Sequence, residues 1–167
     1  PHGVGFGSTF RRIVEVCVRK LTILLLLSLW TGLLTAQWVQ TNGPGGGRVN
    51  CFAVSGTNLF AGTEAGNVFL STNNGTSWTP VNTGLTDAIV RALAVSGGNL
   101  FAGTTARVYR STNNGTTWTS VSSFGGVMSL IATGSNLFAG TGSGVFLSTN
   151  NGGSWTAVNT GLTDTDV

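Results

Sequence analysis

Arg91, Arg107 and Arg110 fall in one stretch of this 167-residue chain, and three guanidinium groups brought together could hold an anion. Two interpretations stay open for them: a local anion-binding patch, or the solvated edges of strands. Glu64 lies in a turn-forming stretch, and the single tyrosine, Tyr109, occupies an apolar position. His2 is the only histidine, which excludes histidine-based nucleophile activation and histidine-ligated zinc over the rest of the chain. Of the two cysteines, Cys17 precedes the long apolar run and Cys51 is left alone, so Cys51 reads as a small buried residue rather than a reactive thiol. Gly43-Pro44-Gly45-Gly46-Gly47 is glycine-rich but lacks the Lys-Ser/Thr of a phosphate loop, and reads as a flexible link. No cofactor and no metal is expected.

The charge is unevenly placed. The net +3 sits before the apolar run, where Arg11, Arg12, Arg19 and Lys20 outnumber Glu15. From residue 37 onward, Arg48, Arg91, Arg107 and Arg110 balance Glu64, Asp87, Asp164 and Asp166. A neutral body without lysine cannot make the many phosphate contacts that nucleic-acid binding requires. The pI near 9.5 therefore concerns targeting rather than a nucleic-acid partner.

Arg19-Lys20 stand before Leu21–Leu34, a run broken only by Thr22, Ser28, Thr31 and Gly32, and Ala36 offers a small residue at a cleavage point. The run is shorter than the ~20 residues that span a bilayer. A helical signal peptide over 18–36 is expected, with the membrane touched only during export; a single anchor is the alternative. Residues 1–17 read as translated upstream sequence or an extended n-region, with initiation at Val18. The protein is then secreted, periplasmic or at a cell surface.

The elements that must position any site come from repetition. Asn58-Leu59-Phe60-Ala61-Gly62-Thr63 recurs at 99–104 and 136–141, and each copy is followed by Ser-Thr-Asn-Asn-Gly-x-x-Trp, at 71–78, 111–118 and 148–155. Each repeat parses into four strands, in the first copy Val49–Ser55, Leu59–Thr63, Val68–Thr72 and Ser77–Val81. β-Branched and aromatic residues fill the strands, and Asn and Gly fill the reversals. Four meandering strands every ~40 residues indicate a propeller blade. The expected fold is all-β, a partial β-propeller of about three four-stranded antiparallel blades. Its repeats cover 49–89, 90–126 and 127–167, with Val167 opening a fourth. Trp38-Val39-Gln40-Thr41-Asn42 echoes Trp78–Asn82 and Trp155–Asn159, so residues 37–48 read as an orphan closing strand and its link. Three blades are too few to close a ring, so a fragment of a longer chain is expected, and self-association if the fragment folds alone.

The motif Ser71, Asn73, Gly75, Trp78, with its copies Ser111, Asn113, Gly115, Trp118 and Ser148, Asn150, Gly152, Trp155, resembles the Asp-box, or BNR repeat, of sialidase-like propellers. The resemblance covers roughly 38–167. It implies a structural turn on the outer part of each blade, closed by hydrogen bonds to the short polar side chain, with the indole folded over the hairpin. Every copy carries Asn where the family commonly has Asp, which removes the carboxylates a calcium site on the turn would need. The turns also account for the sequon-like Asn74-Gly75-Thr76 and Asn114-Gly115-Thr116.

The resemblance also raises sialidase chemistry, which implies an arginine cluster, a Tyr–Glu pair and an Arg-Ile-Pro motif. Arg12-Ile13-Val14 lies before the apolar run and Tyr109 aligns with Phe69 and Phe146, so the set does not carry over. The expected function is an exported, non-catalytic binding or scaffold module for a protein or glycan ligand, similar at repeat level to sortilin-like proteins and photosystem II assembly factors. The alternative is part of an exo-sialidase or other glycoside hydrolase whose catalytic residues lie in further blades.

Overall fold

The computed structural model describes residues 42–86 and 89–164, all within one compact unit, Thr41–Val167. The expected leader, the upstream extension and the start of the orphan strand with Trp38 lie outside the described residues. Three sheets form in succession. The first holds β1 (Val49–Ser55), β2 (Asn58–Thr63), β3 (Val68–Ser71) and β4 (Thr79–Pro80). The second holds β5 (Val90–Ser96), β6 (Asn99–Thr104), β7 (Val108–Ser111) and β8 (Thr119–Ser120). The third holds β9 (Val127–Thr133), β10 (Asn136–Thr141), β11 (Gly144–Ser148) and β12 (Thr156–Ala157). Strands lie in chain order within each sheet and pair antiparallel. The fold is all-β, three four-stranded blades of a partial propeller.

The fourth strands are shorter than the pattern Ser77–Val81 predicts. Asn73 Oδ1 accepts the Ser77 amide at 2.9 Å, so that amide serves the turn and not the ladder. Pairing resumes only at Thr79, opposite Leu70.

The core lies between blades rather than within them. One cluster joins Phe60 and Val68 of the first blade to Val90, Leu93, Leu100, Tyr109 and Trp118 of the second. A second joins Ala94, Phe101 and Val108 to Val127, Leu137 and Ala139 of the third. The first strands make this possible by being apolar on both faces. Cys51 and Ala53 point toward the next blade, as Ala94 does, while Leu93 and Val95 point back toward the previous one. First strands of successive blades pack on one another, β1 on β5 and β5 on β9, and so form the inner edge.

Glycine sets how closely blades approach. A Cβ on Gly62 would meet Val90 Cγ1 at 2.6 Å, and one on Gly103 would meet Val127 Cγ1 at 2.5 Å. The valines that open the second and third blades seat on the bare backbone of the blade before. Thr63, Thr104 and Thr141 are buried beside these glycines, and their hydroxyls donate to the carbonyls of Asn67, Arg107 and Gly144 at 3.3, 2.9 and 2.8 Å. Each buried hydroxyl thereby closes the turn between the second and third strands.

Candidate functional site

The three Ser-x-Asn-x-Gly turns are built alike. Ser71 Oγ accepts the Gly75 amide at 2.8 Å and donates to Asn73 Oδ1 at 2.9 Å. The Asn73 amide group then donates to Ser77 Oγ at 2.8 Å. The same bonds recur around Ser111 and Asn113, and around Ser148 and Asn150. The residue after each box asparagine, Asn74, Asn114 or Asn151, sits at φ 53–55°, a left-handed conformation that asparagine tolerates. Each turn is closed by its own side chains.

Two of the box tryptophans reach into the preceding blade. Trp118 donates its indole N–H to Val81 O at 2.8 Å, and Trp155 to Val121 O at 2.9 Å, both in the preceding blade. Trp118 is nearly fully buried; burying such a ring removes about 150–250 Å2 from water. At about 25 cal/mol per Å2 the gross gain is roughly 4–6 kcal/mol, before entropy. The buried Trp78 indole nitrogen has no acceptor among the described residues.

The arginines of the second repeat are separated by the fold. Arg110, on β7, donates to Asn151 O at 3.0 Å and ties the second blade to the turn of the third. Arg107 lies in the turn before β7, while Arg91 lies on the inner strand β5. Arg91 instead shares a cleft of about 280 Å3 with Arg48, Asn50, Glu64, Ile89 and Met128. Arg48 Nε stands 3.2 Å from Asn50 Oδ1, to which it donates, and 3.9 Å from a Glu64 carboxylate oxygen. Asn50 donates across to Val90 O at 3.0 Å.

A register irregularity explains why these side chains meet. Cys51 pairs with Gly62 and Val49 with Thr63, leaving Asn50 as an extra residue; Arg91 and Met128 are the extra residues of β5 and β9. A bulge turns its residue out of the ladder and re-aims the side chain. Here one bulge from each of three consecutive blades aims into the same inner-edge cleft. Sequence reasoning missed Arg48, Asn50 and Met128. The available signal was the single large residue between an opening valine and a small residue in Val49-Asn50-Cys51, Val90-Arg91-Ala92 and Val127-Met128-Ser129.

A larger hollow, about 400 Å3, lies at the outer part of the junction between the second and third blades. It is lined by serines and by Phe124, Phe146 and Trp155, with no charged group. Its rings face one another, Phe124 stacking on Phe146 at 4.1 Å and meeting Trp155 edge-on at 5.3 Å. The inner cleft is preferred as the site because it alone of these two carries ionic groups. Cys51 is half-buried rather than fully buried, and burial pushes its thiol up to about 11. Tyr109 is core, its hydroxyl 3.0 Å from Thr86 Oγ1. Among the described residues no group of acidic, histidine and cysteine side chains is placed to hold a metal, and no helix is long and apolar enough to cross a membrane.

Three four-stranded blades stacked through their first strands define the chain as a β-propeller segment. The chain belongs to the DUF6242 beta propeller domain family, which matches residues 29–166. No curated protein matches it. Among solved structures it is similar to YCF48 bound to D1 peptide, at 14% identity and a TM-score of 0.59, over 71% of this chain and 42% of that one. An ancestral GH74 enzyme matches at 24% identity and 0.59, over 73% of this chain and 19% of its own. The extracellular domain of the one-component system BT4673 from B. thetaiotaomicron matches at 21% identity and 0.58, over 73% and 18%. The chain thus spans less than half the length of each of these structures.

Proposed function

We propose that this propeller segment is a binding module of an exported protein, and that its inner-edge cleft takes an acidic stretch of a protein partner. The single observation that carries this is the convergence of three bulge residues, Asn50, Arg91 and Met128, beside Arg48. Two guanidiniums supply directed donors for carboxylates, and the Met128 side chain, 46% exposed, supplies an adaptable apolar contact. A neighbour of the same fold holds a peptide, which supports a protein partner over a sugar. In this proposal the Asp-box turns are structural and the blades run 49–89, 90–126 and 127–167. The apolar run Leu21–Leu34 within the expected signal peptide, and an extracellular domain among the neighbours, support export.

The likeness to a GH74 enzyme raises a second reading, glycoside hydrolysis. That chemistry uses a pair of carboxyl groups flanking the scissile bond. Glu64 is the one carboxylate among the residues lining the cleft, and it faces Arg48. Binding is therefore the better account.

The test titrates the chain with an N-acetylated heptapeptide carrying Asp and Glu, with its Asn and Gln counterpart, and with neutral cello- and xylo-oligosaccharides. The acidic peptide should bind alone, and Arg91→Ala should weaken it roughly tenfold or more, the worth of one charge-assisted hydrogen bond. Equal binding of both peptides, preference for the sugars, or indifference to Arg91→Ala would reject the proposal.

A further inference from the structure

The sequence holds four Asn-Gly pairs, and the fold treats them in two ways. Asn74-Gly75, Asn114-Gly115 and Asn151-Gly152 stand in the three box turns, while Asn42-Gly43 stands in the link before β1. In such a pair the glycine nitrogen can attack the asparagine side-chain amide, because glycine carries no Cβ to hinder the approach. Exposure of the asparagine does not separate the pairs, since Asn42, Asn74 and Asn114 are all exposed. The glycine nitrogen does. Gly75, Gly115 and Gly152 are buried, and they donate their N–H groups to Ser71, Ser111 and Ser148 at 2.8, 2.8 and 2.9 Å. Those serines are themselves buried. Packing holds the same backbone from the other side. A Cβ on Gly115 would meet Val81 Cγ2 at 2.8 Å, and one on Gly152 would meet Phe101 Cε1 at 3.1 Å, both in the preceding blade. Gly43 is exposed, and a Cβ there would meet nothing within 4 Å. Neither Asn42 nor Gly43 makes a hydrogen bond among the described residues.

We propose that Asn42 is a site of spontaneous deamidation, and that the box serines shield the other three asparagines from the same reaction. The Gly43 nitrogen loses its proton to hydroxide and bonds to Asn42 Cγ. The bond from Cγ to the side-chain nitrogen breaks, and that nitrogen takes a proton from water and leaves as ammonia. Water then adds to one of the two carbonyls of the five-membered succinimide and opens the ring. One opening leaves aspartate in place of Asn42; the other leaves isoaspartate, with the main chain routed through the former side chain. Either product carries a new negative charge. In a box turn the same proton is committed to a buried serine oxygen, so the reaction waits for the turn to open. Shielding is thus a second task of the serine hydroxyl, beside closing the hairpin. This inference does not depend on what the inner cleft binds.

The experiment holds the full chain at mildly alkaline pH for days, folded or in guanidinium chloride, and digests it. Mass spectrometry reads the exchange of amide for acid in the peptide carrying each pair, and isoaspartyl methylation counts the rearranged product. In the folded chain Asn42 should convert roughly tenfold or more faster than Asn74, Asn114 and Asn151, since opening a turn breaks at least one buried hydrogen bond. In denaturant all four should convert at similar rates. Ser111→Ala should speed conversion of Asn114 alone, and Gly43→Ala should slow conversion of Asn42 alone. Should Ser111→Ala not fold, the parent compared folded and in denaturant decides. Equal rates at the four pairs in the folded parent, or a difference that persists in denaturant, overturns the proposal. So does a folded Ser111→Ala chain in which Asn114 stays as slow as Asn151, or a Gly43→Ala chain in which Asn42 converts at the parent rate.

Discussion

Ser71 Oγ accepts two backbone amides and donates one bond, so a single hydroxyl ties three points of the reversal together. Ser111 does the same in the middle blade while 1% exposed, so Ser111→Ala leaves the Gly115 amide buried without an acceptor. A loss of about 2 kcal/mol is expected, read from the urea midpoint. At Trp118 the packing and the hydrogen bond can be separated. Trp118→Phe keeps most of the ring and should cost about 1 kcal/mol for the bond to Val81 O, whereas Trp118→Ala should cost roughly 3–5 kcal/mol. Cys51 gives a prediction in pH. Its folded value, about 11, lies above the 9.0 of a free thiol, because burial disfavours the thiolate. The stabilisation is complete below pH 9.0 and is lost as pH rises toward about 11. Alkylation at pH 8 should be slow, and the decline in stability over that window should disappear in Cys51→Ala.

At the scale of the element, the decisive feature is the contact of a bare glycine with the next blade's first valine. Gly103 does not adopt a left-handed backbone, so Gly103→Ala tests the packing alone. The new methyl would stand 2.5 Å from Val127 Cγ1, and overpacking of this kind costs about 1–3 kcal/mol. Amide exchange should quicken in β6 and β9, on the two sides of that junction, more than in β1 and β2. Gly134→Ala meets no atom within 4 Å, and any loss there comes from its φ of +61° rather than from packing. The contrast between the two variants reports whether blade approach or turn strain limits stability.

At the scale of the molecule, placing the core between sheets makes neighbouring blades depend on one another, as in other stacked repeats. Leu93, on β5, packs into the cluster shared by the first and second blades. Leu93→Ala should therefore cost roughly 2–4 kcal/mol and expose amides in both of those blades. Protection in β10 and β11, whose apolar contacts belong to the other cluster, should survive longer. Exchange measured by mass spectrometry checks the pattern. Uniform loss across all three blades would mean that the unit unfolds as one block.

The sequence by itself determined the local architecture, because the information is local: hairpin turns follow from Asn-Gly pairs, strands from β-branched runs, and the period from three near-identical copies. It could not determine how far the fourth strands extend, since Asn73 Oδ1 competes with the ladder for the Ser77 amide. Nor could it determine which arginines meet. Arg91, Arg107 and Arg110 are close in the chain, yet a strand, a turn and a neighbouring blade divide them, while Arg48, just before β1, lines the same cleft as Arg91. That outcome rests on bulges and on blade-to-blade packing. Both are long-range balances of backbone pairing against side-chain contact, which only the assembled tertiary structure resolves.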